Sequence, residues 1–329
     1  MTERHFRDSR ETAWRNFEAS LNASKREFRA NAASFPGRLR ELTGDLNTAK
    51  ANSFNPALIE RLNRLVLDGG FKLNDARRFS FKEAACFVAF RFPNAVRTHW
   101  RSFAAACLLF YTITIFFALL CAKNKDFTVS ILGARAMAGI EQMYNPENEH
   151  FLKPREVRTD ADMFAFYIFN NAGIAFRTFA GGVLAGVGSL IILVLNAVSI
   201  GATAGYIIGL GFSETFFSFT SGHSAFELTG IVLSANAGFI LGRAFFTTKR
   251  ISRAAALGKA GKTAFPLIAG ASILIFVAAV IEAFWSSRHE IAPIIHYYAG
   301  ALMWILLALY FLFAGRRRNN CAVSKGGAF

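Results

Sequence analysis

His223 and Glu227 stand one helical turn apart within residues 212–242, FSETFFSFTSGHSAFELTGIVLSANAGFILG, a run apolar enough to span a bilayer. A carboxylate four residues from an imidazole shares its helix face, where the two can ligate a metal, share a proton or hydrogen-bond as one buried unit. Ionisable residues at membrane depth are costly and usually functional. The aromatic, nearly chargeless FSETFFSFTSG precedes the pair, and Asn236 with the small residues Gly238 and Gly242 follows it. A metal hydrolase would need a third ligand and a base, and HExxH is absent. His289 and His296 are candidate recruits, but each lies near the end of an apolar run, where an interfacial side chain is the simpler reading. No serine or cysteine sits in a nucleophile motif and no glycine-rich phosphate loop follows a strand. No catalytic residue, metal or cofactor is therefore assigned. The candidate polar cluster comprises His223, Glu227, Asn170, Asn171, Asn196, Asn236 and Glu282. Its plainer role is a hydrogen-bonded unit that fixes helix packing, with Asn170, Asn196 or Asn236 as partners to the His/Glu pair. Its sharper role is an ion or substrate pathway.

Such a cluster needs helices around it, and the composition supplies them. Hydrophobic residues make up 53% of the chain, mean hydropathy is +0.32, and charge is collected in blocks, which places the chain among polytopic membrane proteins. A formal net charge of +15 would suggest nucleic acid in a soluble protein. In a membrane protein the excess of Lys and Arg collects on cytoplasmic segments, so lipids and not nucleic acid are the expected surroundings. Cys86, Cys107, Cys121 and Cys321 form no CxxC pair, and neither a zinc site nor a disulfide framework follows from them. Met1 opens a polar segment without an apolar core, so the first span is expected to act as its own insertion signal.

Residues 1–100 are polar, basic and helically patterned. Apolar positions recur as Phe6, Ala13, Phe17, Leu21 and Phe28, then Leu39, Leu42, Leu46 and Ala49, then Ile59, Leu62, Val66 and Leu73. Stripes of this kind must bury one another, which predicts a small cytoplasmic helical bundle. Pro36-Gly37 is expected to end the first helix, Asn55-Pro56 to cap and open the third, and Gly69-Gly70 to kink or shorten it. Ser80 and Glu83 read as a capping box for a short interfacial helix carrying Phe81, Phe87, Val88 and Phe90. Residues 101–315 are expected to form the membrane domain and 316–329 a basic cytoplasmic tail.

Apolar runs begin near Phe103, Met163, Gly181, His223, Phe265 and Ile294. The third, to Leu210, could be one tilted helix or two segments broken near Asn196. Residues 123–161 have balanced charge and suit the outer side, with a second interfacial helix where Val129, Leu132, Ala136, Ile140 and Met143 keep helical spacing. Gly182 and Gly186, then Gly201, Gly205 and Gly209, then Gly238 and Gly242, repeat every four residues and favour close helix packing. The basic segment 248–262 and Arg316 to Arg318 belong inside by the positive-inside rule. The expectation is thus an all-α polytopic membrane protein of about six spans, with both termini cytoplasmic.

YIFNNAGIAF at 167–176, GGVLAGVGSLIILVLNAVSIGATAG at 181–205 and GHSAFELTG at 222–230 resemble the stage II sporulation protein M family of bacterial integral membrane proteins. The soluble region resembles the longer form found in non-sporulating bacteria, with SRETAWRNFE, DLNTAKA, IERLNRLV and FRFPNAVRTHW; IEAFWS and YYAGALMW extend the likeness through the last spans. NAVSIGA stands where an Asn-Gly is expected, and GHSAFE where sporulation-type members tend to have Pro-His. The resemblance implies a protein of the bacterial cytoplasmic membrane. In endospore formers it implies a scaffold working with septal peptidoglycan hydrolases, and for the longer form it implies MoxR-type ATPases and RDD-type membrane proteins as neighbours. The expected function is a non-enzymatic scaffold recruiting membrane or cytoplasmic proteins, linked to envelope or peptidoglycan remodelling. A transporter, channel or lipid-moving protein using the His/Glu/Asn cluster is the alternative, and an intramembrane metal-dependent hydrolase a second. Homo-oligomerisation is left open.

Overall fold

The computed structural model describes residues 2–24, 27–28, 33–76, 81–148, 157–246, 252–288 and 290–316. Ser80, Lys249, Arg250, His289, Arg317, Arg318 and Cys321, which entered the expectations above, lie outside the described residues. Those described are overwhelmingly helical and include no strand. The chain divides into two compact units, with the boundary between Cys86 and Phe87.

In the first unit, helices α1 (Glu3–Asn22), α2 (Phe35–Ala51) and α3 (Pro56–Ala76) enclose a core of Phe6, Trp14, Phe17, Phe35, Leu42, Leu46 and Leu62. The stripe on α1 holds at Phe6, Phe17 and Leu21 and departs from expectation at one position, where Ala13 is exposed and Trp14 is buried. Trp14 can be buried because its indole Nε1 donates to Asp45 Oδ2 at 2.8 Å, while Arg10 Nε donates to the same carboxylate at 2.9 and 3.1 Å. Pro36 opens α2 instead of closing α1, its fixed φ suiting a first turn. Asn55 Oδ1 caps α3 by accepting from Ala57 N at 2.8 Å. Burial alone would raise the Glu11 carboxyl, yet hydrogen bonds from Arg61 and Arg15 hold it below its ordinary range. The stability this cluster contributes is present above the ordinary carboxylate pKa and lost as pH falls through the lowered one.

The second unit, Phe87–Arg318, is the membrane bundle. Helix α4 (Phe81–Cys86) leads into a π turn, Phe87–Arg91, and then into α5 (Phe92–Thr98). Phe92 is buried where Gly270 leaves room for its ring. The bundle helices are α6 (Trp100–Lys123), α9 (Val157–Ala180), α10 (Val187–Leu210), α11 (Ser213–Gly242), α12 (Arg253–Ile281) and α13 (Pro293–Phe313). Between α6 and α9 lie the short α7 (Lys125–Leu132) and α8 (Ala134–Tyr144), separated where Gly133 takes φ 78°. Cys86 is disulfide-bonded, whereas Cys107 and Cys121 are free thiols. Pairing of cysteines is decided by proximity in space, which spacing along the chain does not reveal.

Five segments among the described residues are long and apolar enough to cross a membrane, one fewer than expected; α9, with Asp160, Asp162, Asn170, Asn171 and Arg177, is too polar to be counted among them. Packing supplies what composition withholds. Gly201, Gly205 and Gly209 of α10 sit against the backbone of Thr114, Ala118 and Ala122 of α6, in the same order along both helices. Helices α6 and α10 are therefore parallel neighbours, and the chain must return the length of the bundle between them. At 24 residues, α9 spans about 36 Å and makes that return, packed against α10, α11 and α12. Helix α10 runs unbroken through Asn196, whose Nδ2 donates to Ile192 O at 2.7 Å. It starts only at Val187, after the short 3-10 turn Gly181–Val183. Helix α11 starts ten residues earlier than hydropathy suggested and touches α6, α9, α10, α12 and α13, and 78% of its most apolar window is buried. The outer ring presents Leu108, Ile115, Phe116 and Leu119 of α6 and Leu302, Ile305, Leu309 and Leu312 of α13 as exposed apolar surface suited to lipid.

Helix α3 continues straight through Gly69-Gly70 to Ala76, and the two glycines differ. A Cβ on Gly69 would lie 2.7 Å from Leu39 Cδ1 and 2.8 Å from Phe17 Cζ, whereas one on Gly70 meets nothing within 4 Å. Gly70→Ala is expected to stabilise the first unit by up to ~1 kcal/mol, and Gly69→Ala to destabilise it by about 1 kcal/mol through overpacking. Urea unfolding of residues 2–76 checks this; equal and favourable effects at both positions would contradict the packing described.

Candidate functional site

Helix α11 carries His223 and Glu227 into the centre of the bundle, and the C-terminal end of α12 brings a third ionisable group to meet them. There α12 widens into a π turn, Glu282–Ser286. Ligand-competent atoms of His223, Glu227 and Glu282 all lie within 4.8 Å of one another. His223 Nε2 stands 3.7 Å from Glu227 Oε2, and His223 Nδ1 is 3.1 Å from Ser286 Oγ. His223 and Glu282 are buried, and Glu282 Oε2 has no hydrogen-bond partner among the described residues. The wide i→i+5 turn matters here, because π turns re-aim side chains and are frequent at functional sites. It presents Glu282 and Ser286 together to the α11 face.

Close packing makes this meeting possible. A Cβ on Gly222 would fall 2.7 Å from Trp285 Cε3 and 3.1 Å from Ser286 Oγ, so a glycine before His223 lets the π turn press against α11. Phe219 lies edge-on to the His223 ring with centroids 5.3 Å apart. Tyr144, at the end of α8, packs on Phe216 and Phe219 with centroids 5.1 and 6.2 Å away. Its backbone oxygen accepts from Thr215 Oγ1 at 2.8 Å. Burial pushes the Tyr144 phenol up, and neighbouring Glu282, Tyr167 and Glu227 push it the same way. Tyr144 is joined to the site through Phe219, which packs on both the Tyr144 and the His223 rings.

Among the described residues, none of the asparagines expected to complete the cluster hydrogen-bonds to His223, Glu227 or Glu282. Asn170 is exposed on α9 and donates from Nδ2 to Asn171 Oδ1 at 3.0 Å. Asn196 is satisfied within α10. Asn236 is fully buried further along α11, with neither side-chain atom hydrogen-bonded among the described residues. His296 packs on Trp285 with centroids 4.3 Å apart, and its Nε2 lies 3.3 Å from Arg288 O. Arg288 in turn ties the π turn to α9 through a 2.8 Å contact with buried Asp160. Gly182 and Gly186 face Gly238 and Gly242 at backbone distance, which sets α11 against the turn before α10. Sequence reasoning missed Ser286 and Tyr144 as members of the site. The spacing of Glu282 and Ser286 in EAFWS hinted at the first; nothing local pointed to the second.

Residues 85–287, from α4 to the end of the π turn, match the family model of stage II sporulation protein M. The chain belongs to the stage II sporulation protein M family. The match contains His223, Glu227, Glu282 and Ser286, so the site lies wholly within what defines the family, and it ends before α13. Residues 4–73, covering most of α1 to α3, match a separate domain of unknown function. No curated protein and no solved structure matches the chain.

If His223 and Glu227 form one buried unit within this family fold, removing either leaves the other unsatisfied. His223→Ala and Glu227→Ala should each destabilise the protein by about 1–3 kcal/mol, and the double change should cost much less than the sum. Denaturant titration in mixed micelles measures the cycle, and full additivity would show that the two side chains do not interact.

Proposed function

We propose that this integral membrane protein is a non-enzymatic scaffold in the bacterial cytoplasmic membrane. In this reading the bundle is the anchor and the three-helix unit recruits partners for envelope or peptidoglycan remodelling. The supporting observation is that the three-helix unit has its own aromatic core and its own matching domain family, distinct from the bundle. It also offers a cleft of about 320 Å³ between α1 and α3, lined by Glu18, Glu60, Arg61, Arg64 and Asp68. Mixed charge around a concave surface suits a protein partner carrying both signs. A MoxR-type ATPase or an RDD-type membrane protein is the partner that the family resemblance puts first. A conduit for ions or lipids is the second reading, favoured by the buried ionisable cluster in the bundle.

Deleting residues 2–76 should leave membrane insertion intact and abolish recovery of the MoxR-type ATPase in a crosslinking pull-down from native membranes. Unchanged recovery, or loss of insertion, would count against a separable recruiting module. In the proposed orientation both termini face the cytoplasm and α7 and α8 lie outside. A single cysteine at position 125 should then react with an impermeant maleimide from the outer side, and reaction from the cytoplasmic side alone would invert the topology.

A further inference from the structure

We propose that His223, Glu227 and Glu282 bind one divalent transition-metal ion of the zinc class inside the bundle, whether or not the scaffold reading holds. The sequence lacked a third ligand for the His/Glu pair, and the fold provides it from the π turn. Ligands on a tetrahedral zinc at about 2.0–2.2 Å stand roughly 3.3–3.6 Å from one another. The 3.7 Å between His223 Nε2 and Glu227 Oε2 is close to that spacing, and the whole set lies within 4.8 Å, so modest rotamer adjustments bring three atoms onto one ion.

Charge points the same way. Two carboxylates and a neutral imidazole around a dication sum to zero, the least costly state for ionised groups in a low-dielectric interior. Without the ion, two carboxylates face one another and the buried Glu282 Oε2 lacks a hydrogen-bond partner among the described residues. A buried oxygen in that condition calls for an explanation, and a bound ion is one of the ordinary ones. The neighbour of the histidine ring has the matching form. With Nδ1 donating to Ser286 Oγ at 3.1 Å, the His223 ring directs the lone pair of Nε2 at Glu227 and the cluster. Metal-bound histidines are oriented in this way by a hydrogen bond from their other nitrogen. One imidazole and two carboxylates favour zinc, iron or manganese over the thiolate-seeking ions. The same three residues on a helix and a π turn join α11 to α12, so the ion would also clamp the two helices together.

The test uses the full chain, purified in detergent through an affinity tag that does not bind metal, with metal content read by mass spectrometry. After EDTA dialysis, zinc is returned and its affinity measured by competition with a chromogenic chelator. The expected result is about one zinc per chain, an affinity at least ~100-fold lower in Glu282→Gln and Glu227→Gln, and ~10–100-fold lower in Ser286→Ala. Asn196→Ala should match the unaltered protein. Elution profile and helical circular dichroism show whether each variant folds. Should Glu282→Gln fail to fold, cobalt(II) added to the unaltered apoprotein decides: ligand-field bands of a low-coordinate nitrogen/oxygen site support the proposal. Sub-stoichiometric zinc that no substitution changes, or cobalt that stays as the aquo ion, would overturn it and leave a carboxylate pair sharing a proton.

Discussion

Approach of helices to backbone contact around α11 is the constraint on which the bundle depends. Gly182 meets Gly238, Gly242 meets the backbone of Gly186, Gly230 meets Ile275, and Gly300 meets the backbone of Ser221; a Cβ on the first-named glycine of each would collide with its neighbour. In lipid there is little hydrophobic drive between helices, so association rests on this dense van der Waals contact and on polar pairs. The contact surrounds α11 on five sides. Enclosure then shapes the chemistry of the site, because polar side chains on the enclosed helix turn to carbonyls of their own helix or to groups on adjacent ones. His223 finds Ser286 and Glu227; Glu282 is held beside them.

Hydropathy made most of this architecture legible, and the exceptions have physical causes. The run from Met163 is the most polar of the six expected spans and falls short on composition, yet the parallel contact of α6 and α10 requires α9 as the return path. Its Asp160 can be buried because Arg288 reaches across from the π turn, a pairing invisible to a window of local sequence. FSETFFSFTSG belongs to α11 even though serines and threonines lower its hydropathy; Ser218 and Thr220 satisfy their hydroxyls on preceding carbonyls of the same helix. In α1 an apolar periodicity could be drawn through Ala13 or Trp14, and the Asp45 acceptor on α2, a contact 31 residues distant, selects Trp14.

The candidate site was half legible for a similar reason. One helix supplies His223 and Glu227, and i to i+4 spacing is local information. The sequence places Glu282 in the candidate cluster as an ionisable residue in a span, but its contact with the pair depends on which end of α12 meets α11. The asparagines were chosen for polarity alone. Polarity does not say whether a side chain faces a neighbour, its own helix or the lipid, and Asn196 and Asn170 show the latter outcomes. The family match encloses the site and the glycine contacts of α11 with α12 and with the turn before α10, while Gly300 on α13 lies beyond it.

Everything at the site follows from the side-chain contact of α11 with the π turn at His223 and Ser286. Paired cysteines at positions 223 and 286, in a chain otherwise cleared of cysteine and oxidised in native membranes, test it most directly. The structure predicts an intramolecular disulfide in that pair and none between cysteines at 196 and 286; a bridge in the second pair, or its absence in the first, would contradict it.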